Sequence, residues 1–291
     1  MILHPNVKVN LGLDVLRKRP DGYHDLNTLF VPYFGISDTL EIIAGDDFSR
    51  TSAELFSKYD SSSIRQSVSE DGKLMITIAK EGGVDWSPLT DLCAKAYFLL
   101  DAEFSLPAVK IFLEKTSPVG AGLGGGSSDA AFTLRSLNEV FSLGLSEDSL
   151  AERASRLGSD CPFFIFNRPM FGRGRGEQLE DFPLEDIDYG QPNSASCKYI
   201  LKVVCPDGIS VSTAEAYRGI VPSVPSISLD IVLKEEILSW KDNVKNDFEK
   251  TVFVQHPQLS AIKDSLYDSG AVYASMSGSG SALFAIYEKQ Y

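Results

Sequence analysis

The sequence predicts an α+β protein in two lobes. Three observations carry that reading. Strand-like and helix-like segments follow one another in mixed order, and a glycine-rich stretch in the middle of the chain joins a strand pattern to a helix pattern. The length, 291 residues with 43% hydrophobic and 23% charged, suits one large domain or two ordinary ones, each able to build a core. No internal repeat, heptad pattern or disordered bias is present.

The first element is extended. Val7, Val9, Leu11 and Leu13 alternate with Lys8, Asn10 and Gly12, the period of a strand with one buried face, which sets Lys8 and Asn10 together on the other. Arg19-Pro20-Asp21-Gly22 marks a turn. Residues 26–34 resume an extended apolar pattern, and further strands are predicted over 38–43, 73–79 and 108–114. A helix is predicted over 91–104, with Asp91 at its N-terminus. Residues 52–72, rich in serine and charge, read as a loop or insertion. Past the glycines come helices over 128–141 and 147–157, the second capped by Ser146, and then a short apolar strand over 163–166. Arg168-Pro169 and the polar run 181–196 are the places for a boundary and a surface loop, and we divide the chain into 1–167 and 168–291. Strands over 198–205, 271–276 and 282–287, with helical stretches between, complete the second part.

Charge narrows the function. With 27 Lys and Arg against 40 Asp and Glu, the formal net charge is −13, a field that repels nucleic acid and anionic lipid. Neither a polynucleotide nor a membrane surface is an expected partner. A small phosphorylated ligand is compatible, because a few local donors bind an anion against an unfavourable global field. Cys93, Cys161, Cys197 and Cys205 show no C-x-x-C spacing, so neither a zinc site nor a redox pair is expected, and buried free thiols are the plainer reading. Met1-Ile2-Leu3-His4-Pro5-Asn6 lacks the basic-then-apolar pattern of an export signal, and no apolar run reaches the ~20 residues of a membrane helix. A cytoplasmic protein is the expectation.

The most informative segment is Pro118-Val119-Gly120-Ala121-Gly122-Leu123-Gly124-Gly125-Gly126-Ser127-Ser128-Asp129-Ala130-Ala131. It follows the strand pattern of Val109, Ile111 and Leu113 and leads into a helix pattern of Ala130, Leu134, Leu137 and Phe141. Glycines let a backbone approach a ligand closely and adopt positive φ, and the following helix start offers unpaired N–H groups and partial positive charge. Together they suit a di- or triphosphate. Ser127 and Ser128 add hydroxyl donors or help to hold magnesium. A tight strand-to-helix connection is the plain alternative. A Walker A loop fails, because Gly126 is followed by Ser127-Ser128 rather than Lys-[Ser/Thr]. Gly120-x-Gly122-x-x-Gly125 meets the dinucleotide pattern, but a second helix pattern follows where that fold needs a strand ending in an acid.

That segment resembles the phosphate loop of the GHMP kinases, the galactokinase, homoserine, mevalonate and phosphomevalonate kinase superfamily. Lys8-Val9-Asn10-Leu11 resembles the family's first motif and Ser275-Met276-Ser277-Gly278-Ser279-Gly280-Ser281 its third, so the likeness covers nearly the whole chain. Many relatives have proline after the last glycine of the third motif, where this chain has Ser281. Within the superfamily, Arg19-Pro20-Asp21-Gly22-Tyr23-His24 and Gly158-Ser159-Asp160-Cys161-Pro162 resemble the branch that phosphorylates the 2-hydroxyl of a cytidine diphosphate-linked methylerythritol in the non-mevalonate route to isoprenoids. The resemblance implies an N-terminal domain like the second domain of ribosomal protein S5, a ferredoxin-like C-terminal domain and an active site in the cleft. It also implies ATP as phosphate donor, accompanied by Mg2+.

Roles follow by resemblance. Asp160 would be the catalytic base, although on the residues alone it equally reads as a turn aspartate. Lys8 would hold Asp160 ionised and balance charge; on the residues alone, a lysine in an apolar strand more often snorkels. Residues 118–128 would bind ATP. Asn10 would sit with Lys8 at the substrate, Tyr23 would stack on cytosine, His24 would bond its edge, and Tyr217, in a segment that resembles the opposite aromatic wall, would close the sandwich. Asp129, after the serine pair, could assist magnesium, but reads first as a first-turn acid complementing the helix dipole. Asp91-Leu92 loosely matches the adenine contact and equally reads as a plain helix start. His4 and His256 have no evident partners. A sibling sugar, homoserine or mevalonate kinase, and a catalytically silent nucleotide-binding protein, are the alternatives.

Overall fold

The computed structural model describes residues 1–45, 54 and 56–290. It divides into two compact units, the first of Met1–Val7, Ile36–Ser117 and Gly125–Asn167, the second of Lys8–Gly35, Pro118–Gly124 and Arg168–Tyr291. Strands in chain order are β1 (Ile2–Leu3), β2 (Asn6–Lys18), β3 (His24–Ser37), β4 (Thr39–Ala44), β5 (Ile64–Val68), β6 (Leu74–Lys80) and β7 (Val109–Lys115). They continue with β8 (Met170–Arg173), β9 (Gln178–Asp181), β10 (Ile187–Asp188), β11 (Tyr199–Val204), β12 (Tyr273–Met276) and β13 (Leu283–Glu288). The principal helices are α1 (Leu92–Phe104), α2 (Gly125–Val140), α3 (Glu147–Ser155), α4 (Cys161–Phe166), α5 (Thr213–Tyr217), α6 (Glu249–Gln255) and α7 (Pro257–Asp268).

In the first unit a five-stranded sheet runs β1-β4-β7-β6-β5. β6 and β7 are parallel, which demands a crossover, and α1 supplies it. Asp91 caps α1, accepting from the Cys93 N–H at 2.9 Å and from Trp86 Nε1 at 3.0 Å. Leu74, Ile76 and Ile78 on β6 and Ile111 and Leu113 on β7 are fully buried, and α1 packs against α2. Ser146 caps α3 by accepting from the Ser149 N–H.

The second unit carries two four-stranded sheets, β2-β3-β8-β9 and β10-β11-β13-β12. The latter is antiparallel except for β10 beside β11. One apolar cluster joins Leu13 and Val15 of β2 to Val211, Ala216, Phe248, Val252, Leu259, Met276 and Leu283. No helix among the described residues is long and apolar enough to cross a membrane.

Four expectations need correction. Residues 163–166 are helix, inside α4. A four-residue apolar run has no readable period, and here Pro162 sits in the first turn while left-handed Asn167 ends the helix and donates its N–H to Phe163 O. Within 52–72, residues 64–68 form β5, an edge strand whose sequence Ile-Arg-Gln-Ser-Val is mostly polar because only one side pairs; residues 52, 53 and 55 lie outside the described residues. β2 is buried on both faces from Asn6 to Leu13, not one. The polar run 181–196 is not wholly a surface loop, since it carries buried Phe182 and Ile187 and the strand β10.

Candidate active site

In the second unit, three distant segments meet at one carbonyl. Lys8 Nζ donates to Gly122 O at 2.9 Å and Ser277 Oγ donates to the same oxygen at 3.1 Å. Lys8 Nζ also bonds Asn10 Oδ1 at 2.5 Å, and the Asn10 N–H donates to Ser277 Oγ at 3.2 Å. The backbone follows suit: Lys8 N–H bonds Leu123 O at 3.0 Å and Ala282 N–H bonds Ala121 O at 3.1 Å. A Cβ at Gly122 would lie 2.3 Å from Ser277 O, so only glycine fits. Period two did place Lys8 and Asn10 on one face, but that face is buried: each is 3% exposed. A lysine so buried needs acceptors, and Gly122 O and Asn10 Oδ1 provide them.

Gly120, Gly122 and Gly124 all take left-handed φ, +73°, +77° and +71°, while Ala121 and Leu123 between them do not. Left-handed φ at every second position is what favours glycine at 120, 122 and 124. Pro118–Gly124 group with the second unit, and Gly125 onward with the first. Helix α2 begins at Gly125, three residues before the predicted start, so Gly125, Gly126 and Ser127 are its first turn. Ser127 is half-buried. Ser128 is fully buried, and its Oγ has no hydrogen-bond partner among the described residues.

Beneath that turn the first unit holds an ion-pair cluster that sequence reading missed. Lys115 Nζ lies 2.5 Å from Asp38 Oδ2, 2.7 Å from Asp129 Oδ2 and 3.2 Å from Ser117 Oγ, all buried. Asp38 also accepts from the N–H groups of Thr116 and Ser117, each at 2.7 Å. Burial opposes the ammonium, but the Asp129 and Asp38 carboxylates outweigh it and raise the Lys115 pKa. Burial likewise opposes ionised Asp38, yet Lys115 and Ser117 hold its pKa below the ordinary value. Asp129 goes the other way, raised by burial more than Lys115 lowers it. Asp129 is thus no first-turn acid but the fifth residue of α2 and a buried partner of Lys115. The available signal was Lys115-Thr116-Ser117, a lysine closing an apolar strand just before the glycines.

Asp160 is the residue before α4, with φ −87° and ψ −15°, and its side chain makes no capping bond. It therefore stands at a helix start rather than before a strand. It is half-buried, and Ser159 Oγ lies 3.4 Å from its Oδ1. The next residue, Cys161, has its thiol hydrogen-bonded to Ser127 and pushed up to about 12 by burial, so Asp160 sits beside the first turn of α2. Cys93 is buried too, whereas Cys197 and Cys205 are partly so.

The aromatic residues gather in the second unit. His24 and Tyr217 stack at 4.7 Å with 22° between planes, and Tyr217 meets Phe248 edge-on at 4.8 Å. Tyr23 is 56% exposed. Burial first and the Lys18 charge second lower the His24 pKa, which keeps a neutral ring with one donor and one acceptor nitrogen. Tyr217 ends α5, and α5 is pinned by Glu215 Oε1 to His256 Nε2 at 2.9 Å and by Thr251 Oγ1 to Ala216 O at 3.0 Å. His256 therefore does have a partner. Among the described residues no group of three His, Cys, Asp or Glu is placed to hold a metal.

The family model described as GHMP kinases N terminal domain matches residues 91–168, and GHMP kinases C terminal matches 229–291. A 4-diphosphocytidyl-2-C-methyl-D-erythritol kinase from Bacteroides thetaiotaomicron is 44% identical over 291 residues, covering 100% of this chain and 93% of the relative. One from Parabacteroides distasonis is 40% identical over 289 residues, covering 99% and 92%. A crystal structure of 4-(cytidine 5'-diphospho)-2C-methyl-D-erythritol kinase superposes with TM-score 0.72 at 30% identity, covering 98% of this chain and 89% of that one. The homoserine kinase of Cytophaga hutchinsonii, at 16% identity and TM-score 0.59 over 98% of this chain and 86% of its own, shares the fold alone.

Proposed function

The chain belongs to the GHMP kinases and, within them, to the 4-diphosphocytidyl-2-C-methyl-D-erythritol kinases, and from that premise we propose how its residues divide the work of moving the terminal phosphate of ATP to the substrate's 2-hydroxyl. The observation that carries the reading is the meeting of Lys8, Asn10 and Ser277 around Gly122 in the glycine loop. A binding protein has no need to bury an ammonium there.

Phosphoryl transfer asks for alignment and charge neutralisation more than covalent chemistry. The N–H groups along residues 118–128 cradle the polyphosphate. Lys8 balances charge as the phosphoryl group moves, and Asn10 keeps its ammonium aimed. Asp160 accepts the proton of the attacking hydroxyl; its carboxylate is not spent on capping α4. Magnesium is usually held by phosphate oxygens and water rather than by an all-protein cage. The half-buried Ser127 hydroxyl would be the protein's contribution to holding it. Held there, the ion would supply charge neutralisation to the phosphates during transfer. The reaction belongs in the cytoplasm, where ATP is abundant, and a sequence division between residues 167 and 168 separates the glycine loop and Asp160 from the C-terminal part, although residues 8–35 and 118–124 group compactly with the latter.

Tyr23 stacks on the cytosine, neutral His24 reads its edge, and Tyr217 forms the second aromatic wall. Tyr23→Ala should raise the KM for the cytidyl substrate by about 10- to 100-fold, the equivalent of one lost base stack, and leave the KM for ATP unchanged. Equal effects on both constants would assign Tyr23 to packing. Glu215→Ala frees α5 from His256 and should raise the same KM several-fold with kcat preserved; a change in kcat alone would contradict the positioning role. The test of the function itself is ATP consumption dependent on 4-diphosphocytidyl-2-C-methyl-D-erythritol. Consumption driven equally well by mevalonate or homoserine would overturn the assignment.

A further inference from the structure

The turn between β8 and β9 carries a cation that the mechanism above does not use. Gly174 and Gly176 take φ +68° and +108° on either side of Arg175. The turn is built rather than loose. Gly174 O accepts from the Leu26 N–H at 2.7 Å, Gly176 N–H donates to Arg173 O at 3.0 Å, and Glu177 Oε2 accepts from the Arg175 backbone N–H at 2.6 Å. The result sets the Arg175 guanidinium 4.7 Å from the centre of the Tyr23 ring.

Nearby arginines are already committed. Arg17 pairs with Asp25, Arg19 with Asp21 at 3.0 Å and Asp25 at 3.1 Å, and Arg173 lies 3.7 Å from Glu180 and 4.0 Å from Asp230. Among the described residues no carboxylate pairs with the Arg175 guanidinium. In a chain of net charge −13, a diphosphate requires local cations. The diphosphate of a cytidine nucleotide hangs one sugar away from the base. If the base stacks on Tyr23, a guanidinium held against the same ring is within a side chain's reach of those phosphates, and its planar fork suits them. Lys18, exposed and close enough for its charge to act on His24, is the other cation of this face, but nothing fixes it to the ring.

We propose that Arg175 is a binding residue for the diphosphate of the cytidyl substrate, working beside the Tyr23 stacking face. This rests on the reading of Tyr23 and His24 as the nucleobase site. Its consequence is a division of labour: the ring recognises cytosine, and the arginine discriminates the diphosphate from the bare nucleoside.

The experiment is calorimetric titration of the full chain with cytidine and, separately, with cytidine 5'-diphosphate, for the wild type, Arg175→Gln, Arg175→Lys and Tyr23→Ala. Loss of one charge-assisted phosphate contact should weaken diphosphate binding by about tenfold in Arg175→Gln. Cytidine binding should be unchanged in that variant, and Arg175→Lys should recover part of the diphosphate affinity. Tyr23→Ala should weaken both ligands. Equal weakening of both ligands in Arg175→Gln would mean that the arginine only props the ring, and no weakening of either would remove it from the site; each result overturns the proposal. Unchanged cytidine binding in Tyr23→Ala would instead strike the nucleobase reading, whatever Arg175→Gln does, and take the placement with it.

Discussion

Asp160→Asn is expected to lower kcat by about 10²- to 10⁴-fold, the span of a lost general base, while the KM values for ATP and the cytidyl substrate move little. The amide keeps the size of the side chain but cannot take the hydroxyl's proton. The fold should tolerate the change, because the carboxylate makes no capping bond to α4 and is only half-buried. Steady-state kinetics with both substrates varied, beside a thermal unfolding curve, separates the chemical effect from a structural one. A variant within threefold of wild-type kcat would move the base elsewhere. Lys8→Ala should also cost orders of magnitude in kcat, but it must disturb the loop as well, since Lys8 Nζ bonds Gly122 O. Asp160→Asn is therefore the cleaner probe of the chemistry.

Lys115→Met is expected to destabilise the protein by about 3–5 kcal/mol, the usual cost of stranding buried charge by removing one partner. The side chains of Lys115, Asp38 and Asp129 are 4%, 1% and 2% exposed, so water cannot substitute for the ammonium. Adding Asp38→Asn to Lys115→Met should restore part of the loss, because the two positions are directly coupled. Denaturant midpoints for the single and double variants measure this, and a Lys115→Met loss below 1 kcal/mol would contradict it. Asp38's share of the pH dependence has a definite sign, opposite to that of Asp129, whose pKa is raised. The folded pKa of Asp38 is depressed, so its contribution is present above the unfolded value of about 3.9 and disappears as pH falls through the folded one. Wild type should lose this increment in acid, and Lys115→Met should not. A Cβ at Gly125 would lie 3.4 Å from Lys115 Nζ, so the cluster also bears on the start of α2; the variant should raise the KM for ATP.

What the chain revealed without coordinates was whatever its local pattern encoded. The glycine loop was legible because Gly120, Gly122 and Gly124 stand where the chain takes left-handed φ between a strand and a helix, and the Lys8–Asn10 pairing followed from period two. The depth at which that pair is buried did not, because Ser277 and Gly122 reach it from 267 and 114 residues along the chain. Helix α4 hid because four apolar residues fit either period, and β5 hid because an edge strand can stay polar. The β8–β9 hairpin escaped notice because Gly172, Gly174 and Gly176 dilute its alternation, although the same glycines are what present Arg175. The Asp38–Lys115–Asp129 cluster is nonlocal too: its members are 77 and 14 residues apart, and each alone looks like an ordinary surface charge.

In the proposed site the backbone N–H groups around Gly120–Ser128 hold the polyphosphate and Asp160 faces the hydroxyl to be phosphorylated. A crystal structure with a non-hydrolysable ATP analogue and the cytidyl substrate tests it most directly. Expected are β- and γ-phosphate oxygens at hydrogen-bond distance, about 2.7–3.2 Å, from those N–H groups, and the Asp160 carboxylate at about 2.6–3.2 Å from the 2-hydroxyl. Phosphates bound away from the glycine loop, or a 2-hydroxyl out of reach of Asp160, would contradict it.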